Sequence, residues 1–149
     1  MVRQLFKITL LVTNVSQGTL PFMAIEILFE GIKVPHHVTH DLELLFYVLI
    51  WICTMYKGPW NQERVFQKGE HLPLFLWYDN TLGRLDINAD TKSRHCGTLA
   101  MFTMRILNHF TPYFDDLKEC CQSLWSLFFS EPRVDISHVE MCDVLQKNS

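Results

Sequence analysis

Residues 41–56 read Asp-Leu-Glu-Leu-Leu-Phe-Tyr-Val-Leu-Ile-Trp-Ile-Cys-Thr-Met-Tyr, and no charged side chain falls between Leu44 and Met55. A helix that is apolar all round is buried either in a protein interior or in a bilayer. At about 1.5 Å of rise per residue, this run of 16 residues extends about 24 Å. A bilayer core is about 30 Å thick and asks for about 20 apolar residues. Length therefore favours a helix through the centre of a protein core over a membrane span. Thr39 is placed to cap the start, and Asp41 and Glu43 put negative charge in the first turn, where the helix dipole favours it. Lys57-Gly58-Pro59 is a stop signal.

The rest of the chain has enough apolar material to enclose such a helix. Hydrophobic residues make up 48% and charged residues 19% of the 149 positions, which excludes wholesale disorder. A net charge of −3 gives no basic face, so no nucleic-acid partner is expected. The 5 cysteines form no Cys-x-x-Cys pair and are odd in number, which reads as reduced thiols and an intracellular location. Arg3 and Lys7 precede a run, Ile8 to Val12, that is too short for a signal peptide and lacks a small-residue cleavage pattern.

In chain order, Leu5 to Val15 reads as a β-rich run and Gly18-Thr19-Leu20-Pro21 as a turn. Met23 to Glu30 reads as a short helix ending at Gly31. Residues 57–97 read as a long polar stretch around an aromatic island, Leu72 to Tyr78, with helix signals returning at Thr98. Leu99, Phe102, Ile106 and Phe110 share one helical face. Thr111-Pro112 starts another helix, with Asp115 and Asp116 near its first turn and a stripe of Phe114, Leu117, Cys121, Leu124 and Phe128; Pro132 ends it. Ser137-His138-Val139-Glu140 is a capping box for a last helix through about Lys147.

Generic chemical motifs are weak. His36, His37 and His40 cluster without a Glu-x-x-His context or a third metal ligand, so a polar loop entering a helix is the favoured reading. Asp86-x-Asn88-x-Asp90 mimics the start of a calcium loop, but Thr91 stands where glycine is required and Gly97 where glutamate is required. No Gly-x-Ser-x-Gly elbow is present, and Cys53 sits deep in the apolar run as a structural thiol.

The informative segment is Gly18-Thr19-Leu20-Pro21-Phe22-Met23-Ala24-Ile25-Glu26. It resembles the end of a protein-kinase activation segment, where a Gly-Thr turn leads into Ala-Pro-Glu, with Ile25 here in place of the proline. Downstream, His40-Asp41-Leu42-Glu43-Leu44-Leu45-Phe46-Tyr47-Val48-Leu49-Ile50-Trp51-Ile52-Cys53 completes a resemblance to the fungal-type protein kinase family. Trp77-Tyr78, Leu82-Gly83, Thr91-Lys92 and the run from Phe110 to Lys118 extend it.

The resemblance implies a mainly α fold: a protein-kinase-like C-lobe fragment around a central buried helix. Residues 1–17 would then be an unmatched segment, 18–130 a partial kinase domain and 131–149 a tail with a short helix. Thr19 would be the threonine of a peptide-binding turn, Glu26 the carboxylate that pairs with a buried arginine, and Asp41 the aspartate that accepts backbone N–H groups from a catalytic loop. The family activity so implied is ATP- and Mg-dependent phosphorylation of Ser/Thr in proteins.

The chain departs from that pattern where phosphoryl transfer is done. Such chemistry needs a Gly-rich loop, a strand lysine, a catalytic-loop Asp and a metal-binding Asp. The sequence has no Gly-x-Gly-x-x-Gly, no His-Arg-Asp and no Asp-Phe-Gly, and Trp125 stands where a late arginine is expected. The expectation is a truncated family member without catalytic residues of its own and with no ATP, Mg or other cofactor bound. A protein or peptide at the Thr19 turn is its expected partner. An interaction module is the alternative, and a small membrane protein anchored by residues 42–56 is the least favoured reading.

Overall fold

The structure, a computed structural model, describes residues 17–30, 34–79, 84–131 and 135–148, with side chains from Leu20 onward; the run Leu5 to Val15 lies outside them. The chain enters through a 3-10 turn, Gln17–Phe22, and helix α1, Ile25–Glu30. The long helix α2, Val38–Met55, follows, and a loop region holding the 3-10 segment Pro73–Trp77 leads to α3, Leu85–Cys96. Next come α4, Leu99–Arg105, the 3-10 turns Leu107–His109 and Pro112–Phe114, α5, Leu117–Phe129, and α6, His138–Lys147. Among the described residues the fold is mainly α, and the β pairing is a single antiparallel bridge between Tyr56 and Glu63.

Helix α2 is the axis of the molecule. It packs against the Gln17–Phe22 turn and against α5, while α1 lies on α3, α4 joins α3 to α5, and α6 closes on α5. Leu42, Phe46, Tyr47, Val48, Ile50 and Cys53 of α2 are buried. Phe46 is fully enclosed: its ring stacks on Phe128 at 5.5 Å and meets Phe102 at 5.8 Å. Length and a mean hydropathy of 1.4 would suit α2 to a membrane, but a core helix meets the same measure, and 56% of α2 is buried inside the protein. Its outward residues are Val38, Asp41 and Leu45.

The C-terminal carbonyls of α2 show how the loops are tied to it. A helix leaves its last carbonyls without intrahelical partners. Here the backbone N–H of Thr111 donates to Cys53 O at 3.0 Å and that of Arg64 to Met55 O at 2.7 Å. The Thr111 hydroxyl donates to Tyr56 O at 2.5 Å. The Arg64 guanidinium donates to His109 O at 2.9 Å and pairs with Glu70 at 2.6 Å. Thr111→Val keeps the shape and removes the hydroxyl donor to a part-buried carbonyl, so a loss of about 1–2 kcal/mol is expected. Urea unfolding measures it; an unchanged midpoint would discount the clamp.

Several boundaries differ from those read in the sequence. Helix α2 begins at Val38, two residues ahead of the start a Thr39 cap would give, because His37 is the N-cap and its N–H donates to His40 Nδ1 at 3.2 Å. Thr39 caps nothing: buried within the helix, its hydroxyl accepts the Ile136 N–H at 3.1 Å. Thr111-Pro112 opens a 3-10 turn, and α5 starts later, at Leu117. The face of α4 stops at Arg105, leaving Ile106 and Phe110 buried in the turns that follow and Leu99 exposed. The largest difference is α3, which occupies the end of the stretch read as polar loop. The Ser137–Glu140 box is formed as read, with Ser137 N–H donating to Glu140 Oε2 at 2.8 Å and Glu140 N–H to Ser137 Oγ at 3.3 Å.

Candidate functional site

The segment Gly18 to Glu26 is the candidate site, and the structure seats it on α2, from His40 to Trp51, and on α3. Phe22 meets the edge of Trp51 at 5.5 Å, and Leu20, Leu28 and Ala89 form a small apolar cluster with Met23 and Tyr78. Thr19 lies in the Gln17–Phe22 turn, its side chain outside the described part. Glu26 meets the imidazole of His40, whose Nε2 lies 2.9 Å from Glu26 Oε2; the His40 side chain is buried and that of Glu26 half-buried. Asp41 lies at the surface, 3.5 Å from His36 Nε2. The turn therefore brings Glu26 onto the start of α2, while Asp41 faces outward one residue beyond His40.

The polar groups beneath the turn were not singled out from the sequence. Glu43, read as a first-turn charge, is 1% exposed. Its Oε1 accepts the backbone N–H of Ile25 at 3.0 Å and the hydroxyl of Tyr47 at 2.5 Å. Lys92 of α3 is fully buried and donates from Nζ to Pro21 O and to Met23 O, both at 2.7 Å. The same ammonium lies 3.8 Å from the centre of the Tyr47 ring and 5.0 Å from that of Trp77, within cation–π range. The Trp77 indole N–H donates to His95 Nδ1 at 2.9 Å. One helix carboxylate, one ammonium and two aromatic rings thus hold the turn from below.

Burial governs how these groups titrate. It pushes the Lys92 ammonium down to about 7, against the upward pull of the Glu43 carboxylate. It pushes His95 down to about 4, helped by the Arg105 and Arg94 charges, so the ring stays neutral as an acceptor for Trp77. It pushes the Cys96 thiol far up, so that side chain stays protonated. For His95 the unfolded chain takes up its proton near pH 6.5 and the folded chain near 4. The His95 contribution to stability is therefore complete above about 6.5 and is lost with acidification toward 4, by about 1–3 kcal/mol. His109 is shifted the same way by burial and adds to the loss. Denaturant midpoints across that range test this; a midpoint as high at pH 4.5 as at 7 would contradict it.

A signal for this network was present in the sequence. Asn88, Ala89, Thr91, Lys92, His95 and Cys96 recur at helical spacing and are the buried face of α3. Asn88 Nδ2 donates to Leu76 O at 3.1 Å and to Asp79 O at 3.0 Å, tying α3 to the Pro73–Trp77 segment. Among the described residues, no group of three His, Cys, Asp or Glu side chains could hold a metal ion. The described cysteines are free thiols, with Cys53, Cys96, Cys120 and Cys121 buried and Cys142 exposed.

Comparison with known proteins places the likeness on this site. Residues 11–53, a short portion of the chain, match the fungal protein kinase family model. The match holds the whole Gly18–Glu26 turn and most of α2, starts ahead of the turn, and ends at Cys53, before the later likenesses at Trp77-Tyr78 and Phe110–Lys118. No curated protein and no solved structure matches the chain.

Proposed function

We propose that this chain is the substrate-contacting part of a fungal-type protein kinase domain, a C-lobe fragment whose turn at Thr19 takes up a Ser/Thr-containing protein segment. In this reading the chain by itself neither binds Mg-ATP nor transfers phosphate. The reading is supported by one observation above the others. The family match spans the turn and α2 together, and these are the two parts that the buried Glu43 carboxylate joins through the Ile25 N–H. The motifs that carry phosphoryl transfer, Gly-x-Gly-x-x-Gly, His-Arg-Asp and Asp-Phe-Gly, do not occur in the sequence. In this reading Thr19 would brace a catalytic loop supplied by another part of a kinase domain, Asp41 would receive that loop's backbone N–H groups, and Glu26 would anchor the exit of the turn.

Calorimetry with Mg-ATP and with Ser/Thr-containing peptides tests the reading. Saturable peptide binding is expected, weakened about tenfold or more, or ~1.4 kcal/mol, by Thr19→Ala or Phe22→Ala, with no heat from Mg-ATP. Phosphate transfer to a peptide by the purified chain would overturn the inactive part of the reading. The absence of saturable peptide binding would overturn the substrate-contacting part. Carbonate-resistant pelleting on fractionation would instead favour the membrane reading of α2.

A further inference from the structure

Lys92 is a buried group whose contacts reach the candidate site from far along the chain. Its Nζ–Pro21 O bond spans a sequence separation of 71 residues. The two carbonyls it serves belong to the segment that carries Thr19 and Phe22. A buried carbonyl without a donor costs about 1–3 kcal/mol, so one nitrogen with two donated N–H bonds holds both ends of Pro21–Met23 at once.

We propose that Lys92 is the positioning residue of the turn: its nitrogen, donating to Pro21 O and Met23 O, sets the geometry in which the turn is presented to a peptide. The link to peptide rests on the function proposed above; the hold on the turn does not. The groups facing Lys92 are few. Helix α2 presents the Glu43 carboxylate and the Tyr47 ring, the Pro73–Trp77 segment presents the Trp77 ring, and its own helix presents the protonated Cys96 thiol. His95 stands behind Trp77 and stays neutral. From the turn, the carbonyl oxygens of Pro21 and Met23 meet it.

The arrangement also makes the turn sensitive to pH. Opening the turn brings Lys92 to water, where it binds its proton up to the ordinary lysine range; closed, it releases the proton at about 7. Between those values the open state holds one proton more than the closed state. Closing therefore strengthens as pH rises above 7, and opening grows as pH falls back toward 7, by up to about tenfold per unit. A neutral amine keeps two N–H donors, so both carbonyls remain served in the closed state.

The experiment reads the Ile25 amide, whose N–H is bonded to Glu43 under the turn, by hydrogen exchange in the full-length chain. Protection is expressed relative to an unstructured peptide at the same pH. In the wild type, protection is expected to rise about tenfold or more between about pH 7 and 8.5. Lys92→Met, which keeps the bulk and removes the donors, should lower protection about tenfold and flatten the pH slope, while amides of α5 keep theirs. Lys92→Ala should regain protection with n-propylammonium, which restores the missing atoms, and not with n-propanol, which offers one donor. Equal protection and equal slopes in wild type and Lys92→Met would overturn the proposal, as would rescue by propanol as good as by propylammonium. Where the variants do not fold, wild-type protection that stays flat with pH overturns it and a rising profile supports it. A turn that loosens in Lys92→Met while no peptide binds even the wild type would remove the peptide reading and leave the hold of Lys92 on the turn supported.

Discussion

Replacing Glu43 with leucine is expected to destabilise the protein by about 3–5 kcal/mol near pH 6. The side chain is 1% exposed, so its loss is not repaired by water. Two donors aimed at Oε1, the Ile25 N–H and the Tyr47 hydroxyl, lose their acceptor. The Lys92 ammonium loses the carboxylate that raises its proton affinity. An uncompensated buried charge is the expensive outcome, and the protein avoids it by releasing the Lys92 proton. The penalty should therefore be smaller at pH 8.5, where Lys92 is neutral with or without Glu43. Glu43→Gln keeps an acceptor for the two donors and should lose less than the leucine variant at either pH. Chemical denaturation of the three proteins at both pH values measures this. A leucine variant within about 1 kcal/mol of wild type at pH 6 would show that the buried carboxylate does not hold the turn on α2.

Phe46→Ala should cost a similar amount, about 3–5 kcal/mol, by a different route. The ring has no exposed surface, and it touches the rings of Phe128, Phe102, Phe129 and Tyr47. Those partners sit on three helices, so the cavity cannot collapse without moving α4 and α5 relative to α2. Domains of this size have about 5–15 kcal/mol of stability in all, so the variant stands near the limit of folding. Leu45→Ala, one residue earlier and 37% exposed, should cost under about 1.5 kcal/mol. Thermal unfolding of the pair reads the orientation of α2 directly. Equal effects at the two positions would mean that α2 does not face the core as described.

Most of the helical frame can be read from local order. The uncharged run in α2, the stop at Lys57-Gly58-Pro59, the stripe Cys121, Leu124 and Phe128 in α5 and the Ser137–Glu140 box depend on residues within a turn or two of one another. Helix starts are less legible from local order. Thr39 has the right chemistry for a cap, yet the His37–His40 bond claims that role, and a distant backbone N–H at Ile136 takes the Thr39 hydroxyl. The match to the fungal protein kinase family likewise rests on a local run, the turn and α2.

Helix α3 and the support of the turn were decided by long-range contact. Hydropathy treats a buried face as an apolar one, and the buried face of α3 is Asn88, Thr91, Lys92 and His95 beside Ala89 and Cys96. A polar side chain is stable in an interior only when a partner meets it there. The partners are the carbonyls of Pro21 and Met23 for Lys92, those of Leu76 and Asp79 for Asn88, and the Trp77 indole for His95. These lie between 9 and 71 residues away in the chain. Glu43 follows the same rule: its place on the helix was plain from spacing, but its burial depends on Ile25, 18 residues earlier, offering an N–H in three dimensions.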